Sequence, residues 1–196
     1  MTAAKELKLS DQDSLVAAAV ARLDSVDRAA ITAALRMQVL RLSSEALSKH
    51  GDAALCGVVI DTAYADRVVS LAAMRDGSAS WYVSNGLGCV GCGEHDGVRA
   101  AASALVRRAE SASDAAAPTD DYARPAAGSV RFFFLTPVGL RLAEAPLDAV
   151  VRGDSLLAQL YGVGQRLLQL AERVGAGRSV QNEIERALAE RPVATR

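Results

Sequence analysis

The chain has 196 residues, 51% hydrophobic and 4% aromatic, with 22 Lys plus Arg against 23 Asp plus Glu and a net charge of −1. The length suits one domain, since domains run to about 100–200 residues, and it can bury a core without staples. The apolar fraction excludes wholesale disorder, and the balanced charge argues against a nucleic-acid binder, which carries a basic excess.

Alanine is about a fifth of the chain. It favours helices because its side chain loses no rotamer freedom there, but it buries little area. The large core contacts must come from Leu, Val and the few aromatics. Residues 1–10 carry Lys5 and Lys8, and Asp11 and Asp13 then interrupt any apolar run, which is not the pattern of a secretory signal. No stretch approaches the ~18–20 apolar residues of a membrane span. Three cysteines, Cys56, Cys89 and Cys92, are few and odd for a secreted disulfide scaffold. The expectation is a cytoplasmic protein with reduced thiols.

Residues 11–23 read as a short helix capped by Ser10, with Leu15, Val16, Ala19, Val20 and Leu23 at helical spacing. Ser25 caps a longer helix to about Lys49. Its apolar stripe is Ile31, Leu35, Val39, Leu42 and Leu47, with Arg28, Arg36, Arg41 and Glu45 largely on the other side. Lys49, His50 and Gly51 suit a helix end. The period then drops to two. Residues 56–62, 67–74 and 79–84 read as three strands, and Asp76-Gly77 is a hairpin turn between the last two.

A glycine-rich segment follows, residues 86–93. Glu94-His95-Asp96 opens a helix with Val98, Ala101, Ala102, Leu105, Val106 and Ala109 on its apolar face. Residues 111–128 lack periodicity and read as a loop. Residues 130–136 and 140–145 are two further strands, turned by Pro137-Val138-Gly139. A helix from about Asp154 to Val174 carries Leu156, Leu157, Leu160, Tyr161, Leu167, Leu168 and Ala171 inward. Its Gly162 and Gly164 either weaken it or admit close packing. A last short helix spans 179–190. The whole is a single domain, 1–196: helices over 10–50, a sheet core over 55–145 and helices over 154–190. The fold class is α+β, a five-stranded antiparallel sheet (β-β-β-α-β-β) covered by helices. Phe132, Phe133 and Phe134 place an aromatic on both faces of their strand, so both faces must be covered. Trp81 and Tyr82 likewise point to opposite faces.

Gly86-x-Gly88-x-x-Gly91 matches the dinucleotide fingerprint letter for letter, yet antiparallel strands precede it and the helix starts too late. Glu94 and Asp96 would also repel phosphate at that helix start. A Walker loop is excluded, because no Lys-Ser or Lys-Thr follows the glycines. A looser reading has the loop bind an anion or small ligand through Asn85, Gly86, Gly88, Gly91, Gly93, Glu94 and His95. The plainer reading is a tight strand-to-helix turn, with Glu94 and Asp96 complementing the helix dipole. Cys89-x-x-Cys92-x-x-His95 has metal-ligand spacing, with Cys56 as a possible fourth ligand. The Cys89/Cys92 pair alone could be redox-active, although a thioredoxin-type strand does not precede it. Ser84 is the nearest nucleophile for His95 as base, and no triad forms around them. The acidic pairs Asp61/Asp66 and Asp120/Asp121 are explained by loop solvation. No catalytic residue and no cofactor is assigned.

The pattern Asp76-Gly77, Tyr82-Val83-Ser84-Asn85-Gly86, Gly91-Cys92-Gly93-Glu94-His95, Val98-Arg99-Ala100-Ala101 and Arg131-Phe132 to Gly139-Leu140 resembles an uncharacterised bacterial family of hypothetical proteins. Their glycine-rich loop ends in Gly-Glu-His. The resemblance spans roughly residues 55–145; it implies a bacterial source and carries no activity. The strand order more distantly resembles Roadblock and other profilin-like domains, which is an analogy of topology. The leading expectation is a protein-interaction or regulatory module acting as a homodimer, with neither nucleic acid nor membrane as partner. The alternatives are the small-ligand loop and the Cys/His metal site.

Overall fold

The computed structural model describes residues 28–48 and 53–175. The expected helices at 11–23 and 179–190, and the Lys49-His50-Gly51 stop, lie outside these residues. Helix α1 covers residues 28–40 and α2 covers Ser44–Ser48. The single long helix expected to reach Lys49 is therefore two. Ser43 is the reason: its Oγ accepts the Ala46 N–H at 3.2 Å and so caps a new start.

Strands β1 (Gly57–Ala63), β2 (Val68–Met74) and β3 (Ala79–Val83) form the expected meander. The two-residue strand β4 (Gly88–Cys89) and a 3₁₀ turn (Cys92–Glu94) lead into α3 (Asp96–Ala115). Strand β5 (Ala117–Pro118) follows, then β6 (Ser129–Thr136), β7 (Gly139–Pro146), α4 (Leu147–Arg152) and α5 (Leu156–Gly175). Among the described residues the sheet is antiparallel and has seven strands, in the order β4-β3-β2-β1-β6-β7-β5. Five were expected. The extra two are two-residue edge rungs inside segments too rich in Gly, Ala and Pro to show a period of two. They cover the edges in part: β5 meets Leu142 and Arg141 of the eight-residue β7. Helix α3 also runs to Ala115, beyond the expected start of a loop at 111. Arg141 closes it by donating to the carbonyls of Asp114 and Ala116, at 3.0 and 2.7 Å through Nη2.

Alternation along the strands sorts the core into two layers. Ile60, Leu71 and Phe132 face α3 and α5 with Val98, Leu105, Leu160 and Leu167. Val59, Ala72, Met74, Phe133 and Leu135 form a smaller layer with Leu40 of α1 and Leu47 of α2. The three phenylalanines of β6 are all fully buried, as expected for a strand covered on both faces. Gly77, at φ 91°, makes the β2–β3 turn, a conformation that glycine alone adopts without strain. Of the two glycines in the middle of α5, Gly164 marks a close approach: a Cβ there would lie 2.7 Å from Ile60 Cδ1. Gly162 meets only the tip of Arg166.

Helix α5 also carries Tyr161, whose hydroxyl hydrogen-bonds with Tyr64 and Thr62 beside β1. Burial, then the Tyr64 hydrogen bond, pushes its pKa well above the ordinary 10.0. The folded chain therefore holds this phenol neutral where the unfolded chain would ionise it. Its contribution is fully present below pH 10 and is lost as pH rises beyond it. Tyr161→Phe is expected to make the fall of stability above pH 10 shallower. Urea midpoints across an alkaline pH series check this; parallel curves for the two proteins would contradict it.

Candidate functional site

The glycine-rich segment is built differently from an open anion cradle. Several of its amides are already used. Gly86 N–H donates to Val83 O at 2.9 Å, Leu87 N–H to Asn85 Oδ1 at 3.3 Å and Gly91 N–H to Ser80 Oγ at 3.2 Å. Glu94 N–H donates to Gly91 O at 3.1 Å. Two of the glycines are filled by protein. A Cβ on Gly93 would lie 2.3 Å from Gly77 O, so the 3₁₀ turn rests on the backbone of the β2–β3 turn. A Cβ on Gly86 would lie 2.4 Å from Arg28 Cβ, so this turn packs beneath the start of α1. Gly88 sits in the ladder opposite Tyr82.

The seven residues expected to bind a ligand together are thus divided. Gly91, Gly93 and Glu94 line one cavity, with Asp76, Ser78, Ala79, Ser80, Val90 and Arg99. Asn85 borders a separate groove next to α5. His95 is exposed at the N-terminus of α3 and makes no side-chain cap. Ser84 Oγ accepts the Val68 N–H at 3.0 Å, which ties the end of the β3 segment to the start of β2.

A second cavity adjoins the first and shares Ser78, Ala79, Ser80 and Val90 with it. It lies between α1 and the sheet and has a volume of about 230 Å³. Leu35, Val39 and Leu42 form its helical wall, and Ala72, Met74 and Val90 its floor and end. The neighbouring charged cavity measures about 430 Å³. Polar groups converge where the two meet. The Tyr82 hydroxyl hydrogen-bonds with Ser80, which also accepts Gly91 N–H. Burial raises the Tyr82 pKa above 10.0, so its phenol is neutral at physiological pH. An apolar cavity with a few converging polar groups is the usual form of a small-molecule site.

What holds α1 over this cleft is a polar stripe, where periodicity predicts an apolar one. The helix buries Thr32, Arg36 and Leu40, not the Ile31–Leu35–Val39 stripe, which is half-buried. Arg36 was expected on the outer side. It donates to Asp61 Oδ2 through Nε at 2.8 Å and through Nη2 at 2.5 Å, and to Tyr122 O at 2.8 Å. Both partners are sealed from solvent, at 4% and 0% exposure. Thr32 Oγ1 donates to Val83 O at 3.1 Å, tying α1 to the end of β3. Asp61 is the centre of a polar row across the sheet, with Ser70 and Tyr82 on one side and Arg131 and Glu144 on the other. Arg131 continues the row through ion pairs to Glu144 and Asp121. The backbone N–H of Ala123, then Arg131, holds the Asp121 carboxyl below its ordinary range. A carboxylate inside a β-branched run, Val58-Val59-Ile60-Asp61, was the available signal for this row.

The cysteines are separated by the sheet. Cys56 is buried in the α1-side layer and is unbonded to any other cysteine. Cys89 and Cys92 are buried in the α3–α5 layer, where they form a disulfide with Cα atoms 6.2 Å apart. The four-ligand set of Cys56, Cys89, Cys92 and His95 is not brought together. Among the described residues no group of three or more His, Cys, Asp or Glu is placed to hold a metal ion. The expectation of reduced thiols is corrected for one pair: β4 and the 3₁₀ turn bring its two members together. No helix among the described residues is long and apolar enough to cross a membrane.

No protein-family model matches the chain, and no curated protein or solved structure was found to be similar to it.

Proposed function

We propose that this protein is a binding module whose cleft between α1 and the β2–β3 hairpin takes a small amphipathic molecule. The observation that carries the reading is the joined pair of cavities. The apolar one, walled by Leu35, Val39, Met74 and Val90, suits an aliphatic body. The charged one, lined by Asp76, Glu94 and Arg99, suits a hydrogen-bonding head. Ser80 and Tyr82 stand at the junction, where they would orient the head. This keeps part of the expected loop site, Gly91, Gly93 and Glu94, but as a wall and not as an anion cradle. A cytoplasmic setting and a bacterial source belong to the same proposal.

A second reading is association with another copy of this chain. Leu87, 56% exposed, stands on the rim of a groove lined by Val69, Trp81, Val83 and Leu168. The central strands β3-β2-β1-β6-β7 keep the three-strand, helix, two-strand chain order on which the Roadblock and profilin-like analogy rests.

Octanol and decanol serve as probes in a thermal-shift titration, with light scattering on the same samples. The wild type is expected to gain a saturable rise in Tm with decanol. Leu35→Trp, which fills the apolar cavity from a half-buried position, is expected to keep its own Tm and lose that rise. No shift in the wild type, or an equal shift in Leu35→Trp, overturns the cleft. A monomer at high concentration overturns the second reading.

A further inference from the structure

We infer that Cys89 and Cys92 form a reversible dithiol–disulfide couple that sets the shape of the cleft wall. The link to the cleft rests on the reading above; the couple itself does not. Four observations meet here. First, the two cysteines are bonded to each other, and Cys56 lies in the opposite layer, so the couple is self-contained. Second, the residues enclosed by the bridge are Val90 and Gly91, and both line the charged cavity, Val90 the apolar one as well. Third, each end of the bridge is anchored on a different support. Cys89 pairs with Trp81 at the sheet edge, and Cys92 starts the 3₁₀ turn that rests on the β2–β3 turn through Gly93. Fourth, the anchor on the strand side is weak: β4 has two residues and, among the described residues, pairs with β3 alone.

The chemistry is a two-electron exchange. A dithiol reductant attacks as thiolate on one sulfur, the Cys89–Cys92 bond breaks, and the reductant's second thiolate displaces the mixed disulfide. The protein ends with two thiols, the reductant with one disulfide, and the two protons pass from reductant to protein. Both sulfurs are buried, at 1% and 3% residue exposure, so attack requires β4 to lift from β3. Once the bridge is open, Gly91 is held by its hydrogen bonds with Ser80 Oγ and the Glu94 N–H, and Val90 by packing. The wall then moves more freely and the cleft loses its fixed width.

The test uses the full chain equilibrated in ratios of reduced to oxidised dithiothreitol, quenched with an alkylating agent and mapped by mass spectrometry. Cys89 and Cys92 are expected to become labelled together along one reversible transition, while denatured oxidised protein shows the Cys56 thiol alone. Amide exchange at residues 88–93 is expected to quicken at least severalfold in the reduced protein. The Cys89→Ser/Cys92→Ser protein should exchange at the fast rate in either buffer. Labelling of both cysteines at every ratio, a bridge involving Cys56, or exchange that ignores the redox state would each overturn the inference. Decanol binding is measured in both states. Binding only in the oxidised protein supports the link to the cleft, and equal binding overturns it. No binding in either state overturns the cleft reading, while the labelling and exchange results still decide the couple.

Discussion

Replacing Asp61 by alanine is expected to remove about 3–5 kcal/mol of stability, the usual consequence of leaving one member of a buried ion pair without its partner. Arg36 would keep its guanidinium between α1 and the sheet, with Tyr122 O, Ala123 O and Met37 Sδ as its remaining hydrogen-bond acceptors. None of these supplies a counter-charge. Among the described residues Asp61 Oδ1 has no hydrogen-bond partner, and both Arg36 hydrogen bonds go to Oδ2. Buried pairs of this kind owe little net stability to their mutual attraction, because desolvation of both charges offsets it. The double variant Arg36→Met/Asp61→Leu is therefore expected to be clearly more stable than Asp61→Ala. Urea unfolding followed by circular dichroism checks both. A loss below about 1 kcal/mol for Asp61→Ala would mean that water reaches the site and solvates Arg36.

Phe133→Ala is expected to cost a similar amount, about 3–5 kcal/mol. Phe133 is fully buried at the centre of the smaller layer, among Leu40, Leu47, Val59, Ala72, Met74 and Leu135. That layer is thin and is covered by two short helical pieces, so a cavity there is hard to refill. The ring also lies 5.5 Å from the Arg36 guanidinium carbon and provides a face for the cation. Phe133→Ala and Asp61→Ala share the Arg36 environment, so their effects should not add. Phe132→Ala removes a ring from the larger, opposite layer and should add to Asp61→Ala. Unfolding of the two double variants measures the difference; equal additivity in both would contradict a layered core.

The strands were readable because local chemistry and tertiary setting agree there. Val, Ile and Phe runs bounded by Asp76-Gly77 and Pro137-Val138-Gly139 make strands in any buried sheet. Helices α3 and α5 were equally plain, since their apolar faces meet one continuous layer. Helix α1 failed the same test for an instructive reason. Periodicity assumes that a buried helical face is apolar, but the sheet beneath α1 presents Asp61, Ser70 and Tyr82 in one row. A polar floor selects a polar stripe. Thr32 and Arg36 therefore turn inward, and Leu35 and Val39 move to the edge, where they become one wall of a cleft.

The glycine-rich loop shows the same division. Sequence alone determined that residues 85–96 must turn tightly between strand and helix, because only glycine tolerates the conformations and contacts that such a turn requires. It also determined that aromatic side chains would occupy both faces of β6, because side chains alternate with a period of two. Only the tertiary structure decided which glycines serve packing, at Gly86 and Gly93, and which meet just a side-chain tip, at Gly91. It alone paired Cys89 with Cys92, placed Cys56 behind the sheet and joined two cavities at Ser80 and Val90. The physical reason is that these relations depend on strand order and helix placement. Those are settled by long-range burial of apolar surface and by pairing of buried charge, which no local window of residues contains.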